Sequence, residues 1–280
     1  MLQSGGRILD LTQPVVMGIL NATPDSFYNK GRGSSLSELL LNAEQMLAAG
    51  ASILDIGGAS TKPGAGIMDP ATELERVLPV VEALTKRFPK AWLSVDTYNA
   101  AVAKAVVETG ASIINDVSSG RFDAQMAQTV AALKVSYIAM HMQGTPRTMQ
   151  QNPQYEDVVT DVLHYLRDVA DNCKLAGITD IIVDPGFGFG KTVEHNFALL
   201  RSLHTFRVLG KPILAGISRK SMICRTLDVK PEDALNGTTA LHMVALQQGA
   251  NILRVHDVKE AMEVVKLWQA LNPSHTHTQP

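Results

Sequence analysis

Short β-branched apolar runs recur along the whole chain, separated by segments with a helical period. The runs are "VVMGIL" (15–20), "SILDIG" (52–57), "AWLSVD" (91–96), "ASIIND" (111–116), "SYIAMH" (136–141), "DIIVDP" (180–185), "PILAGIS" (212–218) and "NILRVH" (251–256). Most are near-continuously apolar rather than alternating, as in strands covered on both faces. Between them, Leu36, Leu39, Leu40, Ala43, Met46 and Leu47 share one helical stripe over 36–47, and Ser35 with Glu38 has the spacing of a capping box. Similar stripes run over 74–88 (Leu74, Val77, Leu78, Val81, Leu84, Phe88) and over 156–176 (Val159, Val162, Leu163, Leu166, Val169, Ala170, Cys173). Gly50, Gly110, Gly177 and Gly249 close helical segments ahead of the next strand.

Eight strand–helix alternations in about 260 residues predict an α/β protein built as a single (β/α)8 TIM barrel, residues 14–271. A doubly wound open sheet is the alternative. Residues 1–13 form a short N-terminal extension placed to plug the bottom of the barrel, and 272–280 a polar tail. No change of composition marks a second domain.

The 280 residues are 45% apolar and 19% charged with a formal net charge of −2, enough for a large core and without a basic run to recruit nucleic acid. Cys173 and Cys224 form no CxxC pair, and neither a signal peptide nor a membrane-length apolar stretch is read. The expectation is a soluble cytoplasmic protein with small-molecule substrates, no nucleic acid and no membrane partner.

The active face of such a barrel lies at the C-terminal ends of its strands. Polar residues stand at every one: Asn21; 57–61; Asp96; Asn115 with Asp116; His141; Asp184; Ser218, Arg219 and Lys220; Arg254 and His256. "DPGFGFGKT" (184–192) imitates a nucleotide-binding P-loop, but that motif needs a glycine five positions before Gly190, where Pro185 stands. The stretch reads instead as a tight turn after Asp184 that lets backbone approach a ligand, with Lys191 as a solvated charge. Asp96, Asn115 and Asp184 converge from different strands with acceptors suited to an aminopyrimidine edge; each alone is as compatible with capping or pairing inside the barrel. Lys220, Arg254 and His256 bring anion donors where this fold usually binds phosphate. The long loop "NATPDSFYNKGRG" (21–33) has the composition of a lid.

In order and spacing, "VMGILNATPDSF", "ILDIGGAST", "SVDT", "IIND", "MHMQGTPRTMQ", "DPGFGFGKT", "SRKSMI" and "RVHDV" closely resemble the dihydropteroate synthase family. The resemblance implies a (β/α)8 barrel that joins a dihydropterin-methyl diphosphate to 4-aminobenzoate with Mg²⁺, usually as a homodimer. It implies Asn21 at the metal–diphosphate site and Asp96, Asn115, Asp184 and Lys220 around the pterin. Thr61, Lys62, Arg254 and His256 then serve the diphosphate side. Phe27, Pro63 and Ser221 border the aminobenzoate pocket, where sulfonamides also bind. Three positions depart from the family's pattern: Ala59 stands for Glu, Lys62 for Arg and Asn29 for Asp, which bears on lid closure and substrate affinity. Two other readings share the pterin platform: a methyltetrahydrofolate methyltransferase-type barrel, and a pterin-binding paralogue without synthase activity.

Overall fold

The computed structural model describes residues 1–22, 36–59, 64, 66 and 68–273. The β-branched runs become parallel strands: β3 (Val15–Asn21), β4 (Ile53–Gly57), β5 (Trp92–Asp96), β6 (Ile113–Asp116), β7 (Ser136–Met140), β8 (Ile181–Asp184), β9 (Leu214–Ala215) and β10 (Ile252–Val255). They pair in the order β8-β7-β6-β5-β4-β3-β10-β9. A parallel bridge from Val183 to Ile213 then joins the two ends and closes the barrel. The open-sheet alternative is thereby excluded.

β9 is much shorter than the run 212–218 suggests. Pro212 has no N–H to give the ladder, and the Asn251 side chain takes the Ile213 N–H at 3.0 Å in place of a strand partner.

The helices follow their apolar stripes: α1 (Leu36–Ala48), α2 (Pro70–Arg87), α3 (Ala100–Thr109), α4 (Met126–Leu133), α5 (Val158–Ala176), α6 (Val193–Arg201), α7 (Ser221–Leu227), α8 (Leu235–Gln247) and α9 (Val258–Leu271). α2 begins four residues before the stripe that predicts it. Asp69 caps it by accepting from the Thr72 N–H at 3.0 Å, and Pro70 sits at the first helical position, where its missing N–H costs nothing. α5 starts on an Asp157 cap and ends on Gly177 in the left-handed region. The Ser35 half of the capping box before α1 lies outside the described residues.

The extension is a hairpin, β1 (Leu2–Ser4) against β2 (Arg7–Leu9). Leu2 and Leu11, 1% and 5% exposed, close an apolar cluster with Met17, Ile53, Trp92, Ile113, Ile138, Ile182, Leu214 and Ile252. That set takes one inward residue from each barrel strand. Arg7 lies over the Trp92 ring and donates to the Ala91 carbonyl and the Ser112 hydroxyl, fixing the hairpin beneath the barrel.

Candidate active site

Inward-facing positions recur every second residue along a strand, so two steps above the apolar bottom ring the chain faces the barrel interior again. There the residues change character: Ile53 is followed by Asp55, Trp92 by Ser94 and Asp96, Ile113 by Asn115, Ile182 by Asp184 and Ile252 by Arg254. Asp96, Asn115, Asp184, Lys220 and Arg254 line one cleft, with Val117, Met140, Phe187, Phe189 and Gly216. The structure thus brings five of the sequence candidates into a single concavity.

Asp55 organises its floor. Fully buried, it accepts from Ser94 Oγ at 2.6 Å, Asn115 Nδ2 at 3.2 Å and Arg254 Nε at 2.6 Å. Arg254 Nη2 reaches on to Asp96 Oδ2 at 3.2 Å. The arginine that the strand-end pattern places on the anion side is therefore held between two carboxylates. Asp55 was not among the sequence candidates because it sits in mid-strand rather than at a strand end. Its signal was a lone charge inside an apolar run, which has to find a partner.

The electrostatics follow from this packing. Burial pushes Asp96 up to about 7 against the pull of Arg254, and the Asp55 charge adds to the rise. Burial also raises Asp184, while the Gly186 N–H on its Oδ1 at 2.7 Å and the Lys220 ammonium draw it back. Burial and then Arg254 lower Lys220 to about 8, opposed by Asp184 and Asp96. Burial opposes the Arg254 charge, but Asp55 and Asp96 outweigh it and keep the guanidinium protonated. Asp96 and Asp184 thus face Lys220 and Arg254 in a partly desolvated cleft floored by Asp55, with acceptors for a hydrogen-bond-donating heterocycle.

The remaining candidates are more scattered. His256 is exposed at the rim, its Nδ1 3.0 Å from Ser218 Oγ. Burial of part of the ring, and then the Arg254 charge, lower it to about 4. It and Arg254 have separate partners. Asn21 is exposed at the end of β3, in register with Gly57, which in turn pairs with Asp96. Ser221 is exposed at the start of α7, next to Lys220. Phe27, Asn29, Thr61, Lys62 and Pro63 lie outside the described residues. Ala59 packs against an apolar cluster of Tyr98, Val117, Met140, Met142 and Met149.

Several strand-end residues do not face the cleft. Asp116 accepts from the Ser118 and Gly120 N–H groups and from Tyr137 Oη at 2.7 Å each, knotting the turn after β6. Arg219 forms a two-pronged pair with Asp257, at 2.8 and 2.7 Å, behind the β9 loop. His141 is buried and turned to Lys191. Lys191 itself is not a solvated charge. It is 3% exposed, because its ammonium finds three acceptors under the glycine turn.

Among the described residues no cluster of His, Cys, Asp and Glu could hold a metal ion. Asn21 offers one hard oxygen donor beside the cleft, a donor set that suits Mg²⁺ when a substrate phosphate and water complete its shell. A wider groove of about 700 Å³ lies at the opposite end, between the hairpin and the ends of α4 and α5. No acid or histidine lines it, so the chemistry belongs to the smaller cleft. Nor is any helix among the described residues long and apolar enough to cross a membrane.

Residues 17–256 match the family described as pterin binding enzyme. The chain is 46% identical over 271 residues to a dihydropteroate synthase of Haemophilus influenzae, covering 96% of this chain and 98% of the relative. The Yersinia pestis dihydropteroate synthase, solved with a sulfonamide drug complex, superposes with a TM-score of 0.92 at 44% identity, over 98% of this chain and 99% of that one. That of Xanthomonas albilineans, in complex with 7,8-dihydropteroate, superposes at 0.87 with 38% identity, over 97% and 98%. The chain belongs to the pterin binding enzymes, within the dihydropteroate synthase family.

Proposed function

We propose that the cleft joins (7,8-dihydropterin-6-yl)methyl diphosphate to 4-aminobenzoate, giving 7,8-dihydropteroate and pyrophosphate. The observation that carries this is the meeting of Asp96, Asn115, Asp184 and Lys220 over an apolar wall that includes Met140 and Phe189. Asp96, Asn115 and Asp184 bind the aminopyrimidine edge, and Lys220 donates from the far side. The C–O bond breaks with its electron pair leaving on the diphosphate. The carboxyl groups stabilise the pterin-methyl cation that remains, a preorganised electrostatic effect that needs no covalent link to the protein. The arylamine lone pair then forms the C–N bond, and the nitrogen sheds its proton.

The diphosphate side is assigned to Thr61, Lys62, Arg254 and His256, and the aminobenzoate side to Phe27, Pro63 and Ser221. Arg254 then has two tasks, pairing with Asp55 below and facing the substrate above. Mg²⁺ held through Asn21 would neutralise charge on the departing pyrophosphate. The reading includes a cytoplasmic homodimer, which light scattering of the purified chain would check.

The test is product formation. With both substrates and Mg²⁺, mass spectrometry should find 7,8-dihydropteroate matched by pyrophosphate. Pterin binding without any product would favour the non-synthase paralogue. Methyl transfer from a methylated folate to a corrinoid would favour the methyltransferase barrel.

A further inference from the structure

Lys191 has no place in the chemistry above, yet it is among the most buried cations of the molecule. Burying an ammonium costs several kcal/mol unless its donors are satisfied. Here all three are. Nζ lies 2.9 Å from His141 Nδ1, 2.9 Å from the Gly186 carbonyl and 3.0 Å from the Phe189 carbonyl. Burial and the Lys191 charge keep His141 far below the usual histidine range, so its ring is neutral and can accept, while burial lowers Lys191 to about 7 against the pull of Asp184. Among the described residues no carboxylate forms an ion pair with this lysine.

The acceptors share a location. Gly186 and Phe189 bracket the glycine turn, and His141 is the exit of β7 against which the turn packs. A Cβ on Gly186 would lie 1.9 Å from the His141 carbonyl oxygen, and one on Gly190 2.7 Å from the Gln143 carbonyl oxygen. Both have positive φ, at 71° and 65°, so the turn is shaped for contact at the cost of backbone freedom. Asn196 adds a second tie, accepting from the Gly188 N–H at 2.7 Å.

On its other side the turn faces the cleft. The Phe189 ring lies 4.3 Å from Lys220 Nζ. The Gly186 N–H holds Asp184 Oδ1. Three cleft groups therefore take their places from one turn, which Lys191 holds at the Gly186 and Phe189 carbonyls while Asn196, Gln150 and Tyr155 hold Gly188 and Gly190.

We propose that Lys191 is a positioning residue for the pterin: its ammonium staples the 186–190 turn to the end of β7 and so sets Phe189, Lys220 and Asp184 for the ring. The proposal rests on the pterin-transfer reading of the cleft. A merely space-filling lysine would be replaced without penalty to binding by methionine, which has similar length and no donors.

The test is calorimetric titration of dihydropterin-methyl diphosphate into the full chain, wild type, Lys191→Met and Lys191→Arg. The expected result is a Kd raised roughly tenfold or more in Lys191→Met, with partial recovery in Lys191→Arg. The KM for 4-aminobenzoate should stay within about twofold, since those contacts lie elsewhere. A folded Lys191→Met with unchanged pterin affinity overturns the proposal, and so does a proportionate fall in both substrates' binding. If the wild type itself binds no pterin, the reading of the cleft falls and this inference with it. If Lys191→Met does not fold, Lys191→Gln, neutral and with a shorter reach, takes its place: a raised pterin Kd with an unchanged 4-aminobenzoate KM supports the staple, and unchanged pterin affinity overturns it.

Discussion

The two ends of the barrel interior are built on the same strands, two residues apart, and obey opposite rules. At the bottom, Ile53, Trp92, Ile113, Ile182 and Ile252 pack with Leu2 and Leu11 into a closed apolar ring. One inward step higher, Asp55, Ser94, Asn115, Asp184 and Arg254 carry the polar and charged groups of the upper layer. The bottom is stabilised by removing apolar surface from water, which tolerates small errors of shape. The upper layer holds charges in place by mutual hydrogen bonds, and an error there leaves a partner unsatisfied. A barrel can therefore devote one end to stability and the other to chemistry without changing its backbone.

The largest effect should come from breaking the charged layer. Arg254→Met strands Asp55 without its cation and should cost about 3–5 kcal/mol of stability. Urea unfolding reads it, and a loss under 1 kcal/mol would mean that Asp55 finds another partner. Leu2→Ala attacks the other end and should cost about 2–4 kcal/mol. Its kcat/KM should match wild type at a temperature where both are folded; a specific loss of activity would show that the two layers are coupled.

Asp184→Asn removes a charged acceptor at nearly constant shape. It should weaken pterin binding by about 1.5–3 kcal/mol with little change in melting temperature. Unchanged affinity would remove Asp184 from the pterin site. A further effect concerns Asp96, raised from 3.8 to about 7 in the folded protein. Between those values the folded state holds the proton that the unfolded state has released. Its contribution to stability is thus full below 3.8 and lost as the pH rises through 7. The free wild type should therefore lose stability over that window relative to Asp96→Asn, as urea midpoints at several pH values would show.

Much of this was legible in the sequence, because two-sided burial makes parallel strands stand out as apolar runs. The strand ends then marked Asp96, Asn115, Asp184, Lys220 and Arg254. What the pattern concealed was direction. Outward positions such as Leu54 and Val183 pack under helices and are as apolar as inward ones, so the usual alternation disappears. Without it, Asn115 facing the cleft and Asp116 facing away look alike. Asp55 lies in mid-strand, where the strand-end pattern carries no signal. Lys191 was misread because a lysine after a glycine turn usually points to water; that three neutral acceptors wait beneath the turn depends on the path of residues 186–190, which spacing does not encode.

A crystal structure of the chain with bound dihydropterin would test the layered account most directly. The account predicts the aminopyrimidine edge within hydrogen-bonding distance of Asp96, Asn115 and Asp184, the ring beside Phe189, and Arg254 still paired with Asp55 below. A pterin seated on the outer rim with these carboxyl groups unengaged would contradict it.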